Sequence, residues 1–205
     1  DVAAPIEKYQ IPAQNYHYSY WIKPMSTKDI PYLSGSNNSK HKTDPTTINE
    51  DIRAWRNLKY GMFIHFSLST FDGQEQTPGS TTPTSVYHPT NLDVDQWIRI
   101  ARDNGMKYAV LTSKHSSGFC LWDSKVQWNG KVFDYDVGSM PVKTDVVAEY
   151  MDACDRYDIM PGIYYCIMDT RHSDQNFKWT PALPYISEEY FQLVKDHLTE
   201  LHITY

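Results

Sequence analysis

Tyr60-Gly61-Met62-Phe63-Ile64-His65-Phe66-Ser67-Leu68 is a short, nearly continuous apolar run, the pattern of a strand buried on both faces in a parallel sheet. Two further runs share its character, Tyr108-Ala109-Val110-Leu111-Thr112 and Gly162-Ile163-Tyr164-Tyr165-Cys166-Ile167. Between the first and second, residues 94–104 place Val94, Trp97, Ile98 and Ala101 at helical spacing; Asp93 or Asp95 caps the start and Gly105 ends it. Between the second and third, residues 144–157 do the same with Val146, Val147, Tyr150, Met151 and Cys154, capped by Thr144 or Asp145 and followed by Pro161-Gly162. A third helix is predicted over 187–201, with Ser187 as cap and Glu188 and Glu189 in the first turn, where the helix dipole favours negative charge. The strand centres Phe63, Val110 and Ile163 thus recur about every 50 residues with a helix after each, a β-α repeat with parallel crossovers. Three such repeats cannot close a ring of eight strands. The expected fold class is therefore α/β, either a small open sheet or the N-terminal part of something longer, three repeats being roughly half of a (β/α)8 TIM-like barrel.

The rest of the 205-residue chain bounds the function. Its net charge is −6 and its 19 Lys and Arg are scattered, so the basic stripe of a nucleic-acid binder is missing. No apolar run approaches the roughly 20 residues of a membrane span. The three cysteines, Cys120, Cys154 and Cys166, lack C-x-x-C spacing and read as buried thiols rather than a disulfide framework or a zinc site. Sixteen Tyr and six Trp suit either a Tyr-rich core or a surface that stacks on sugars. Residues 1–47 read as an irregular arm and loop, and the β-α repeats fall within 48–205. The opening Asp1-Val2-Ala3-Ala4-Pro5 fits a mature chain after removal of an export signal, so a periplasmic, cell-surface or secreted location is expected.

In β/α barrels the reactive groups sit at the C-terminal strand ends. Those positions hold His65, with Asp72 and Glu75 beyond it; Lys114-His115; and Tyr164, Tyr165, Asp169, Arg171 and His172. A lone histidine there is often only a structural hydrogen-bonding group, but two at equivalent ends of successive strands suggest a site. There is no H-E-x-x-H and no clustered histidine pair, so no metal is expected; no G-x-S-x-G and no phosphate-cradling glycine loop appears either, so no cofactor is expected. Paired carboxylates, as in glycoside hydrolysis, fit an aromatic, acidic chain best, with Glu75 and Asp169 as candidates by position.

Residues 55–68 (WRNLKYGMFIHFSL), 87–122 (YHPTNLDVDQWIRIARDNGMKYAVLTSKHSSGFCLW) and 145–165 (DVVAEYMDACDRYDIMPGIYY) resemble the α-L-fucosidases of glycoside hydrolase family 29, in particular the branch with 1,3/1,4-linkage preference. The resemblance covers about 48–205 and implies a retaining exo-glycosidase, without metal or cofactor, acting on terminal fucose of a glycan. It implies that His65 donates to sugar hydroxyls, that Glu75 contacts the sugar and that Tyr164, or Tyr165 if the register shifts by one, lines the pocket. His115 matches the first histidine of the family's Lys-His-His-Asp-Gly-Phe string; Ser116 and Ser117 stand for the second histidine and the aspartate, and Gln76 stands for a tryptophan. Those departures leave room for a related L-sugar such as α-L-galactose, or for a non-catalytic sugar binder. Trp122 and Trp128 are read as rim of the site near the aglycone, with a core role as the alternative for Trp122. The resemblance places the nucleophile on a fourth strand and the acid/base further on, both beyond Tyr205, so none of the residues here is expected to be a catalytic carboxylate.

Overall fold

In the computed structural model, which describes residues 50–173 and 187–205, the chain runs through α1 (Glu50–Leu58), β1 (Gly61–Ile64), a short α2 (Ser69–Asp72), α3 (Val94–Asp103), β2 (Tyr108–Lys114), a hairpin of β3 (Gln127–Trp128) and β4 (Lys131–Val132), α4 (Val146–Tyr157), β5 (Met160–Tyr165) and α5 (Glu188–Thr204). The arm predicted over 1–47 lies outside the described residues. Trp55–Tyr205 forms one compact unit.

The three apolar runs become one parallel sheet in the order β1-β2-β5. The register sets Phe63 beside Val110 and Gly162, and Ile64 beside Leu111 and Ile163. Because side chains alternate along a strand, this sorts the residues onto two faces. Ile64, Ala109 and Leu111 are buried on one face with Val94, Ile98 and Ala101 of α3 and Val147, Tyr150 and Cys154 of α4. Fully burying each large aliphatic side chain contributes about 1.5–3 kcal/mol. On the other face Phe63 and Met160 are more than half exposed and Tyr164 is 37% exposed. The expectation of strands buried on both faces is thus corrected: within the described residues the helices bury β1 and β2 on one face only, and Ile163 of β5 on that same face is still 37% exposed.

The predicted caps are in place. Asp93 accepts from Gln96 N at 2.9 Å, Asp145 from Ala148 N at 2.9 Å, and Ser187 from Tyr190 N at 3.2 Å. Asp95, the alternative cap of α3, serves instead as a link between helices, accepting from Arg156 and from Tyr157 Oη of α4. Two boundaries differ from expectation. The Tyr60–Leu68 run is strand only over Gly61–Ile64 before the chain turns into α2, and α5 continues past 201 through His202-Ile203-Thr204.

Among the described tyrosines Tyr87, Tyr135, Tyr150 and Tyr190 are buried in the core. Tyr150 donates its hydroxyl to Ala109 O at 2.7 Å and accepts from Gly162 N at 3.2 Å, so a helix side chain stitches β2 to β5. Trp122 is 1% exposed and donates Nε1 to Glu200 of α5 at 2.7 Å, which settles it as core rather than rim. Glu200 also accepts from Ser124 Oγ at 2.7 Å and Lys125 N at 2.6 Å, anchoring α5 to the loop after β2. Cys120 and Cys154 are buried thiols as expected, while Cys166 is half-buried just past β5.

His197 of α5 is fully buried, with Nδ1 3.0 Å from Tyr165 Oη and its ring against Trp122 and Phe133. Burial first, then the charges on Lys114 and His172, hold its imidazole down to about 3, with Asp169 acting weakly the other way. The unfolded side chain titrates near pH 6.5, so as the pH falls from about 6.5 toward 3 the unfolded chain binds a proton that the folded one does not. This part of the stability is complete above about pH 6.5 and is lost on acidification at about 1.4 kcal/mol per pH unit. Urea unfolding should therefore show a drop of about 2–3 kcal/mol between pH 6.5 and 4.5, and His197→Gln should flatten that slope; equal slopes in the two proteins would contradict it.

Candidate functional site

The first two parallel strands end on histidines. His65 follows β1 directly and His115 follows β2, and their rings lie 5.6 Å apart edge to face. The turn after β1 brings Glu75 to the same place, so that His65, Ser67, Glu75, Thr112 and His115 line one small cleft of about 80 Å³. Tyr164, one strand over, sits with its ring 6.2 Å from His115 and 5.8 Å from Phe63. All four residues expected from the sequence therefore gather at one end of the sheet, three in the cleft and Tyr164 on the open face beside it.

Which tyrosine faces this end is decided by the pleat. Tyr164 pairs with Thr112 on the open face, while Tyr165 turns inward, with its hydroxyl on His197 and its ring 4.5 Å from Lys114 Nζ. Burial pushes the Tyr165 hydroxyl far above its ordinary range, so it serves as a neutral hydrogen-bonding group.

His115 is half-buried, and Ser116 Oγ lies 3.1 Å from its Nδ1. Burial, then the charges on His65 and Lys114, hold its imidazole below the ordinary value. A neutral imidazole can donate from one ring nitrogen and accept at the other, which suits it to bind hydroxyls. Asp72 is committed to its own loop, accepting from Gln74 N at 2.9 Å and Thr77 Oγ1 at 2.8 Å.

Asp169, a candidate for the reacting pair by position, is corrected by its surroundings. Its carboxylate is wholly buried 2.9 Å from Lys114 Nζ and accepts from Tyr190 Oη at 2.9 Å, Arg171 N at 3.0 Å and His172 N at 2.7 Å. Burial would raise its pKa, but the His172 hydrogen bonds and the Lys114 charge outweigh that and hold it far below the usual carboxylate range. Such a group stays ionised and unreachable, and it acts as an anchor. Gly118 meets this anchor with φ +86° and no room for a side chain, since a Cβ there would lie 2.9 Å from the Asp169 carboxyl. Thr170, next to Asp169, gives its N–H to Ser116 O at 2.8 Å and accepts from Gly79 N at 2.7 Å, tying together the loops that follow all three strands. His172 belongs to the same anchor, stacked against Phe133. Trp128 sits on the hairpin, half-buried with its ring 5.9 Å from His172.

Among the described residues, no three His, Cys, Asp or Glu side chains converge in a way that would hold a metal ion. No helix among them is long and apolar enough to cross a membrane.

The family model described as alpha-L-fucosidase matches residues 32–205. The chain belongs to the α-L-fucosidase family. Among its relatives in that family is alpha-L-fucosidase 1 of Arabidopsis thaliana, 38% identical over 121 residues that make up 58% of this chain and 22% of the relative. A crystal structure of a glycoside hydrolase 29 family member from an unknown rumen bacterium superposes with a TM-score of 0.64 at 29% identity, over 75% of this chain and 25% of that one. A second structure, an α-L-fucosidase from Bacteroides thetaiotaomicron trapped as a covalent intermediate with 2-fluoro-fucosyl fluoride, has a TM-score of 0.59 at 25% identity over 78% of this chain and 41% of its own. The fucosidase-family chain thus spans between a fifth and two-fifths of the length of these three relatives.

Proposed function

We propose that the protein to which this chain belongs is a retaining exo-α-L-fucosidase of the branch preferring 1,3/1,4 linkages, and that the chain forms the N-terminal half of its (β/α)8 barrel. The observation that carries this is the convergence of His65, Glu75 and His115 on one cleft at the C-terminal ends of parallel strands, with Tyr164 beside it, in a member of the fucosidase family. The half-exposed row of Phe63 and Met160 is the surface that further strands would cover as a barrel interior.

In this reading His65, Glu75, His115 and Tyr164 hold the sugar hydroxyls, and their hydrogen bonds strengthen as oxocarbenium character develops at the anomeric carbon. A carboxylate C-terminal to Tyr205 attacks that carbon and forms a glycosyl-enzyme, and a second carboxylic acid protonates the leaving oxygen and then activates water. The covalent intermediate of the Bacteroides thetaiotaomicron relative supports the retaining course. The substrate is a terminal fucosylated glycan met outside the cytoplasm.

The full-length encoded protein, assayed on aryl α-L-fucoside and aryl α-L-galactoside, should turn over the fucoside with the higher kcat/KM. Preference for the galactoside would reassign the sugar, in line with Gln76, Ser116 and Ser117. Binding of L-fucose without turnover of either substrate would make the protein a sugar binder and overturn the enzymatic reading.

A further inference from the structure

The hydroxyl groups around the cleft are almost all committed to the protein itself. Thr112 Oγ1 accepts from Phe66 N at 3.4 Å, Thr70 Oγ1 accepts from Ser67 N at 3.2 Å, and Ser69 Oγ shares a hydrogen with Thr77 Oγ1 at 3.1 Å. Ser67 is the exception. It lines the cleft, it is 7% exposed, and its Oγ is buried with no hydrogen-bond partner among the described residues. A buried hydroxyl without a partner is destabilising, and native proteins keep such groups where something else completes them.

Ser67 is two residues past His65 and is held in place by its own backbone. Its N–H bonds Thr70 Oγ1 and its carbonyl accepts from Thr70 N at 3.0 Å, so the turn into α2 fixes the backbone at Ser67 and leaves its hydroxyl uncommitted. From this pattern we propose that Ser67 is a substrate-binding residue, its hydroxyl completed by a ring hydroxyl of the bound L-sugar. The assignment rests on the fucosidase reading above and adds to it a contact supplied by the first strand's own turn. A serine reads a hydroxyl as donor or acceptor, so it fits a polyhydroxylated ring and gains nothing from an apolar aglycone.

Two signatures follow, and they point in opposite directions. If the partner arrives only with the sugar, Ser67→Ala in the full-length protein removes an orphaned polar atom from the free protein and a hydrogen bond from the complex. The melting temperature of the free variant should then equal or exceed that of the wild type. KM for aryl α-L-fucoside and the inhibition constant of L-fucose should both rise about tenfold, the scale of one neutral hydrogen bond plus the desolvation of its abandoned partner. Ser67→Cys, which keeps the shape and weakens the bond, should fall between. A KM within twofold of wild type in Ser67→Ala would overturn the assignment, as would a lowered melting temperature at unchanged KM, because the hydroxyl would then be bonded within the protein. A wild-type protein that neither hydrolyses the fucoside nor binds L-fucose would remove the fucosidase reading and this contact with it, a result distinct from an active wild type with an indifferent variant.

Discussion

Lys114→Met lowers the stability of the protein by about 3–5 kcal/mol, a large part of the 5–15 kcal/mol that holds a typical domain folded. The reason is the company Lys114 keeps. Its side chain and that of Asp169 are both completely buried; Nζ lies 2.9 Å from the carboxylate and also donates to Cys166 O at 2.8 Å. Two desolvated charges in contact stabilise little in net terms, since leaving water costs several kcal/mol per ion, but removing one strands the other. Asp169 would retain Tyr190 Oη, His172 Nδ1 and two backbone N–H groups, but it would lose the fully buried ammonium that offsets its charge at zero exposure. The measurement is urea unfolding of wild type, Lys114→Met, Asp169→Asn and the double variant. The double variant should be clearly more stable than the sum of the two single losses predicts, because neither partner is then left charged and alone. Additive losses would show that Lys114 and Asp169 contribute independently.

His115→Ala in the full-length protein lowers kcat/KM on aryl α-L-fucoside by about 10²-fold or more, the cost of one well-placed donor in a site built to bond a substrate hydroxyl. The thermal unfolding temperature should hardly move, since the ring is only half-buried and its one polar contact among the described residues is Ser116 Oγ. Burial and the neighbouring positive charges keep this imidazole neutral to lower pH than an ordinary histidine. Activity that depends on the neutral ring is therefore full near neutrality and declines only on acidification below the usual histidine range. A loss under threefold in kcat/KM would remove His115 from the binding set.

Much of the fold is legible in the sequence for a physical reason. A buried parallel strand reads as an apolar run, an amphipathic helix reads as a spacing, and Asp93, Asp145 and Ser187 mark helix starts because their oxygens accept the orphaned N–H groups there. His65, Glu75 and His115 are legible because a parallel sheet puts all its strand ends on one side. What escapes a linear reading is pairing across sequence distance. Asp169 looks like a free carboxylate on a loop until β5 brings it under Lys114, and Trp122 looks like rim until Glu200, 78 residues away, meets its indole. Burial on both faces is inferred from composition alone, whereas the exposure of Phe63 and Met160 depends on what lies opposite the sheet. The hairpin β3–β4 carries a local signal outside the β-α period. Asn129-Gly130 takes φ values of 52° and 77°, the left-handed pair that a two-residue hairpin loop requires.

We propose a retaining fucosidase whose sugar is held by His65, Glu75, His115 and Tyr164 and whose nucleophile lies C-terminal to Tyr205. The most direct measurement is the intact mass and peptide map of the full-length protein after reaction with 2-fluoro-fucosyl fluoride. The predicted result is one fluorofucosyl adduct per protein, on a carboxylate C-terminal to Tyr205, with labelling slowed by L-fucose. An active protein that takes up no label, or one labelled on Glu75 or another residue of this chain, would contradict it.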